Sequence, residues 1–395
     1  MSAMSAMTAT AVSMRADSER AVQDVLQQVR AAFAGQMPSL VFVYGTASHD
    51  PEVIAACFAA SGVLHIGGSS CSGLMTERGM HRERHVLGVL AVRDPKGQFG
   101  VGGHDKADSP RKATRIALER ALTMCERPGE VPSLVWIHGA PGGEEQVLLG
   151  LHDVLGHSVP VVGGSSADDD ISGAWYQLAN GVSFRNGVVV AVLFPSGSVS
   201  TSMHSGYAPT EHRAVVTRAF NRTLHELDGE PAALVYNRWT GGGLGDDVSG
   251  GHVLMRTALA PLGHPVERIG SVELHMLAHP ERVTREGALE LFADVHVGQE
   301  VVLMKGTLES LVSRAGRVAD RARQKGRCIG GLVTYCAGCM LAVDDRMPEV
   351  VDSVNSVLRA PFLGIFTFGE QGALLGPRAY HGNLMISVVS LGQPA

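Results

Sequence analysis

Strand-length apolar runs alternate along this chain with segments of helical period. Val22, Val25, Leu26 and Val29 share one helical face, and Asp17 or Ser18 stands where a cap belongs, which predicts a helix reaching about residue 34. Ser39-Leu-Val-Phe-Val-Tyr-Gly45 then reads as a strand ending in glycine, and Ser133-Leu-Val-Trp-Ile-His-Gly139 repeats it. A helical segment follows each, over residues 50–61 and 143–155. Each helix leads into a second apolar run with the same ending, Val63-Leu-His-Ile-Gly-Gly-Ser-Ser70 and Val159-Pro-Val-Val-Gly-Gly-Ser-Ser166. A third strand closes each copy, over residues 85–92 and 187–194. Matched anchors in one order read as an internal repeat. A weaker third copy runs through Gly331-Leu-Val-Thr-Tyr-Cys-Ala-Gly338, a helix over 348–358, Pro361-Phe-Leu-Gly-Ile-Phe-Thr-Phe-Gly-Glu370, and a strand over 383–391.

A strand-helix-strand unit forms a parallel pair with a right-handed crossover, and the next strand returns antiparallel. The expected fold class is therefore α/β, with repeated strand-helix-strand-turn-strand units forming mixed sheets flanked by helices. A chain of 395 residues, 45% of them hydrophobic, has material for two domains. The expected division is a disordered N-terminus over 1–16, a first domain over 17–230 and a second over 231–395. Residues 241–251, rich in Gly and Asp, read as a loop, and 288–305 as two strands around Gly298. Residues 307–325 read as an amphipathic helix capped by Thr307.

Charge narrows the function classes. A formal net charge of −6 with no basic run argues against a nucleic-acid binder. The six cysteines lack the spacing of a secreted scaffold and read as reduced thiols. The first residues lack a signal peptide's apolar core, and the apolar stretch over 188–194 is too short to span a bilayer. The expectation is a soluble, cytoplasmic protein with neither membrane nor nucleic-acid partners.

Ligands of open α/β sheets bind beyond the carboxyl ends of parallel strands. That rule selects the turns after the repeated strands. Ser69, Ser70, Ser165 and Ser166 offer hydroxyls and backbone N–H groups to a carboxylate or other small anion; a tight strand exit explains the same residues. No phosphate-loop pattern is present. Asp168 and Asp169 suit a cation, a ligand ammonium, or a solvated turn. His138 ends a repeated strand, and His204 lies near Tyr207. Cys336-Ala-Gly-Cys339 reads as pocket-lining thiols, a redox pair or part of a metal site, but no second ligand pair follows and no metal is expected. Asn383 stands near the start of the last strand. Cys71, Cys336 and Glu370 are the candidates for catalysis, with no reaction specified.

Taken in order, these segments resemble the FIST family of sensory domains. The resemblance rests on Ile66-Gly-Gly-Ser-Ser-Cys-Ser-Gly73, Val162-Gly-Gly-Ser-Ser-Ala-Asp-Asp169, His204-Ser-Gly206, Leu227-Asp-Gly-Glu-Pro-Ala232 with Tyr236, Cys336-Ala-Gly338, Phe362 to Glu370, and Asn383. It implies N- and C-terminal modules that bind a small ligand, an amino acid or related metabolite, and act in signal transduction through a protein partner. Some relatives bind haem and report nitric oxide, which would make His204, His138 or Cys336 an axial ligand here. The sequence also departs from the family pattern. Ser69, Cys71 and Leu74 replace its Cys, Thr and Glu, Cys339 replaces an Arg, and His381 and Asn383 are separated by a glycine. Loss of the Glu and Arg points to a different ligand preference, and an acquired enzymatic activity stays open.

Overall fold

The computed structural model describes residues 6–107, 109–323 and 326–393. The first run of elements is Met7–Ser13 (β1), Ser18–Ala32 (α1), Leu40–Gly45 (β2), Pro51–Ala60 (α2), His65–Ser69 (β3), the hairpin Leu74–Thr76 (β4) and Gly79–His81 (β5), and Leu87–Arg93 (β6). The second is Gln98–Asp105 (β7), Pro110–Met124 (α3), Leu134–Gly139 (β8), Glu144–Leu155 (α4), Val161–Ser165 (β9), the hairpin Gln177–Ala179 (β10) and Val182–Phe184 (β11), and Gly187–Phe194 (β12).

The third run opens with Val199–Ser205 (β13) and is interrupted by an insert. The insert holds Ala208–Phe220 (β14), Thr223–Leu227 (β15), Glu230–Pro231 (β16), Ala232–Trp239 (α5), Gly251–His252 (β17), Leu254–Thr257 (α6), Leu262–Ile269 (β18), Val272–Ala278 (β19), Pro280–Val283 (β20), Leu289–Leu291 (β21) and Glu300–Lys305 (β22). The run resumes with Leu308–Ala322 (α7), Cys328–Cys336 (β23), Ala337–Ala342 (α8), Met347–Leu358 (α9), Phe362–Thr367 (β24), the hairpin Glu370–Gly372 (β25) and Tyr380–Gly382 (β26), and Met385–Gly392 (β27).

Three six-stranded mixed sheets share one plan: β1-β6-β2-β3-β10-β11, β7-β12-β8-β9-β25-β26, and β13-β27-β23-β24-β4-β5. In each, the pair joined through a crossover helix is parallel and the neighbouring pairs are antiparallel. Each sheet takes its outer hairpin from another run. The hairpin at 74–81 therefore completes the C-terminal sheet, and the hairpin at 370–382 completes the second. Helices flank the sheets, and one apolar core draws Phe42, Trp136 and Leu363 from all three. Trp136 Nε1 donates to Tyr44 Oη across it (2.9 Å). The insert forms a separate nine-stranded sheet.

The paired glycines of the repeated turns are packing requirements. A Cβ on Gly67 would lie 1.6 Å from the Val43 carbonyl oxygen, and one on Gly163 would lie 1.8 Å from that of Ile137. Both carbonyls belong to the neighbouring parallel strand, so the backbone itself would have to move. Gly163→Ala is expected to cost at least about 1–3 kcal/mol, the range for overpacking a dense core. Urea unfolding checks this, and an unchanged midpoint would contradict it.

The structure corrects one expectation. Residues 1–16 read as disordered, yet Met7–Ser13 form β1, paired antiparallel with β6 from Met7 opposite Arg93 to Ser13 opposite Leu87. Ala9 and Ala11 fill the core beneath α1. Their small side chains give little apolar signal, and the partner strand supplies what propensity does not. Residues 1–5 lie outside the described residues, as do 324 and 325 of the expected helix over 307–325. α7 carries the expected Thr307 cap, with a capping box to Ser310.

Candidate functional site

The ends of the three parallel pairs meet one another and the insert. Between them lies a cavity of about 190 Å³. Cys71 reaches it from the turn after β3, Asp168 to Ile171 from the turn after β9, and Phe368 from the turn after β24. Cys336 and Asn383 complete the side formed by the third run. The insert supplies the opposite wall with Leu254, Met255, His279 and Phe292.

Asn383 is the polar centre of this cavity and is 2% exposed. Its Oδ1 accepts the His279 N–H (3.1 Å), and its own N–H donates to the Leu277 carbonyl (3.0 Å). The bond to Oδ1 fixes the side-chain amide's orientation, and the main-chain bond to Leu277 holds the residue in place. Nδ2 is buried and has no hydrogen-bond partner among the described residues. His279 Nε2 lies 3.0 Å from the Leu254 carbonyl. A carbonyl only accepts, so Nε2 carries the proton and Nδ1 is left as an acceptor. Burial pushes the His279 pKa down to about 4, so the ring is neutral at physiological pH.

The acidic residues divide. Asp168 is buried and holds its own loop, accepting the N–H groups of Ile171 (2.7 Å), Gly173 (2.8 Å) and Ala174 (2.8 Å). Asp169 and Asp170 are exposed at the mouth. Asp169 Oδ1 accepts the Ser72 N–H (2.6 Å), tying the first turn to the second.

Cys71 and Cys336 are held protonated. Burial pushes Cys71 up to about 12. Cys336 is raised by its hydrogen bond with Cys339 and by burial. Cys339 lies 3.7 Å from Tyr207 Oη, which donates to the Ala258 carbonyl. Glu370 is fully buried. It accepts from Thr367 Oγ1 (2.6 Å) and the Met385 N–H (3.0 Å). Burial, and next the Cys336 thiol, push its carboxyl well above the ordinary range.

The structure thus brings Cys71, Asp168, Asp169, Cys336 and Asn383 to one cavity, with Cys339 in the packing behind it. The serines face elsewhere. Ser69 Oγ accepts the Tyr176 N–H (3.0 Å), and Ser70 Oγ the Phe366 N–H (2.9 Å). Ser165 donates to Glu144 (2.8 Å), and Ser166 lies 2.9 Å from His138 Nε2. His138 is fully buried, edge-on to Tyr44, and pushed down to about 3 by burial. His204 lies in a different cleft. Sequence reasoning missed His279, Phe292, Leu254 and Met255. They come from an insert without repeat anchors, and the apolar run around residue 276 was their only signal. Among the described residues, no group of three His, Cys, Asp or Glu side chains is arranged to hold a metal ion.

The sequence matches the FIST N domain over residues 39–230 and the FIST C domain over 232–373. The chain belongs to the FIST family. FIST domains are recognised as small-ligand sensory domains in signal transduction. A 90-residue stretch of this FIST protein is 34% identical to an uncharacterized protein of Methanocaldococcus jannaschii, covering 22% of this chain and 17% of that protein. Among solved structures, a cyanuric acid hydrolase aligns over 98% of this chain and 100% of its own length, at 9% identity and a TM-score of 0.37. PurL of T. maritima, complexed with AMPPCP, aligns over 99% of this chain and 73% of its own, at 12% identity and a TM-score of 0.23. At such low TM-scores, neither likeness bears on the fold or chemistry of this FIST protein. No helix among its described residues is long and apolar enough to cross a membrane.

Proposed function

We propose that this FIST protein is an intracellular sensor that binds an amino acid or related small metabolite in the cavity and signals through a protein partner. The unpaired Nδ2 of Asn383 carries the reading. A buried donor without an acceptor is costly, and a ligand carboxylate or carbonyl oxygen would satisfy it. His279 Nδ1 offers an acceptor. Asp169 and Asp170 at the mouth favour a ligand ammonium. Leu254, Phe292 and Phe368 suit an apolar side chain. The volume supports a ligand of this size, since a cavity of about 150 Å³ takes benzene. The six free cysteines are consistent with a reducing compartment. Exposed Ile171, Met255 and Leu341 around the mouth support a partner surface whose shape depends on occupancy.

A haem does not fit at Cys336 or His138. The cavity at Cys336 is smaller than the ~300–1,000 Å³ typical of drug-sized ligands, and His138 is fully buried and packed against Tyr44. The raised pKa values of Cys71 and Cys336 leave neither as the thiolate a nucleophile requires. A thermal-shift screen against amino acids, small carboxylic acids, aromatic metabolites and hemin tests the proposal. A ligand at 100 times its Kd stabilises the native state by about 2.7 kcal/mol. Amino acids or close relatives are expected to raise Tm. A response to hemin alone, or none across the panel, would overturn the reading.

A further inference from the structure

A second cleft, of about 550 Å³, lies where β13 ends beside α7, with His204, Lys305, Ser310, Arg314 and Arg317 along its walls. Its charge balance is unusual for this acidic chain. Arg314 and Arg317 stand one turn apart on α7, and Arg321 follows one turn further on. Among the described residues, none of Lys305, Arg314, Arg317 and Arg321 is paired with a carboxylate, whereas neighbouring cations are matched: Arg323 with Asp320, and Arg346 with Glu309 and Glu349. Among the described residues, the one acid lining the cleft is Glu211, which is exposed. Among the described residues, Arg317 donates only to the neutral Ser313 hydroxyl (2.9 Å).

Arg314 carries most of the cost. Its guanidinium is half-buried, and its Nε is out of solvent with no acceptor among the described residues. Burial, then Arg317 and Arg321, push its pKa down to about 10. Burying a charge without a partner is unfavourable, and like charges beside it add repulsion. A single oxyanion between Arg314 and Arg317 would remove both penalties. It would give the guanidinium forks the planar partner they match best.

We propose that this cleft is a binding site for the phosphate group of a small molecule, separate from the cavity around Asn383. The cations supply the charge, Ser310 offers a hydroxyl, and the open volume leaves room for the body of a phosphate monoester. The inference does not depend on what occupies the cavity.

Calorimetric titration with inorganic phosphate and with glycerol phosphate, at constant ionic strength and with chloride as control, tests the site. The expected result is one site per chain, absent with chloride. Binding is expected to weaken about tenfold or more in both Arg314→Met and Arg317→Met, as for loss of a charged hydrogen bond, and to stay unchanged in Asn383→Asp. Tighter binding of the monoester would identify a phosphorylated metabolite as the source, and equal binding would identify free phosphate. Arg317 is exposed, so its variant keeps the test valid if Arg314→Met fails to fold. Arg314→Met is also expected to raise Tm in the absence of phosphate, by relieving repulsion. No saturable phosphate binding at millimolar concentration, or equal binding in both variants, would overturn the proposal.

Discussion

Glu144→Ala is expected to destabilise the protein by about 3–5 kcal/mol, the usual cost of removing one partner from a buried ion pair. Glu144 opens α4 and is 4% exposed. Its carboxylate accepts from Ser165 Oγ (2.8 Å), the Gly142 N–H (3.1 Å) and Arg222 Nη2. Arg222, in the turn between β14 and β15, also donates to Glu145 Oε2 (3.1 Å) and Asp294 Oδ1 (3.3 Å). Glu145 Oε1 in turn accepts the Asp294 N–H (2.9 Å). This cluster clamps the insert onto the second run, two residues from Phe292 in the cavity wall. Breaking it should loosen the cavity as well as the fold.

The pH dependence of that loss has a definite sign. Burial alone would raise the Glu144 pKa, but Arg222, then His381 and Lys106, hold it well below the ordinary value of 4.5. With the folded-state pKa depressed, the unfolded chain binds the proton more readily. The stabilisation is therefore complete above pH 4.5 and is lost as pH falls below it. Urea unfolding should show a wide gap between native and Glu144→Ala proteins at pH 7 that narrows on acidification. Equal midpoints at pH 7 would show that the cluster contributes nothing.

Asn383→Asp is expected to weaken ligand binding about 10- to 100-fold, the equivalent of about 1–3 kcal/mol for an unsatisfied polar group. The substitution keeps the acceptor that holds the His279 N–H and replaces the free donor with an oxygen. An ionised carboxylate facing a ligand oxygen repels it. As pH falls and the new acid is protonated, it regains a donor, so affinity should recover. A merely structural role for Asn383 predicts no such recovery. Burial at this position raises such a carboxyl above the ordinary Asp value of about 3.9, so calorimetry from about pH 8 down to about pH 5 separates the two.

The repeated strands were legible because their constraints are local and severe. Gly67 and Gly163 face a neighbouring carbonyl, so no other residue type fits, and the repeat stands out in the sequence. The exchanged hairpins were not legible. Strands as short as Leu74–Thr76 and Gln177–Ala179 carry no periodicity, and what fixes them is the open edge of another sheet. For the same reason the convergence of Cys71, Asp168 and Cys336 could be suggested but not drawn. The rule that ligands gather at strand ends found one side of the cavity. The other side, His279 and Phe292, depends on how the insert docks, through contacts such as Glu144 with Arg222 that lie far apart in the chain. In the fold the Glu144-Glu145 pair is the anchor of that docking.

The central claim, that the Asn383 cavity is where this FIST protein takes its ligand, is tested most directly by calorimetric titration with the strongest amino acid from the thermal-shift screen. The titration compares native protein with Leu341→Trp, a change at the cavity mouth on a residue 40% exposed, where folding is tolerant. The account predicts one site per chain in the native protein and loss of binding in the variant, with Tm in the absence of ligand unchanged. Equal affinity in both proteins would place the ligand elsewhere and contradict it.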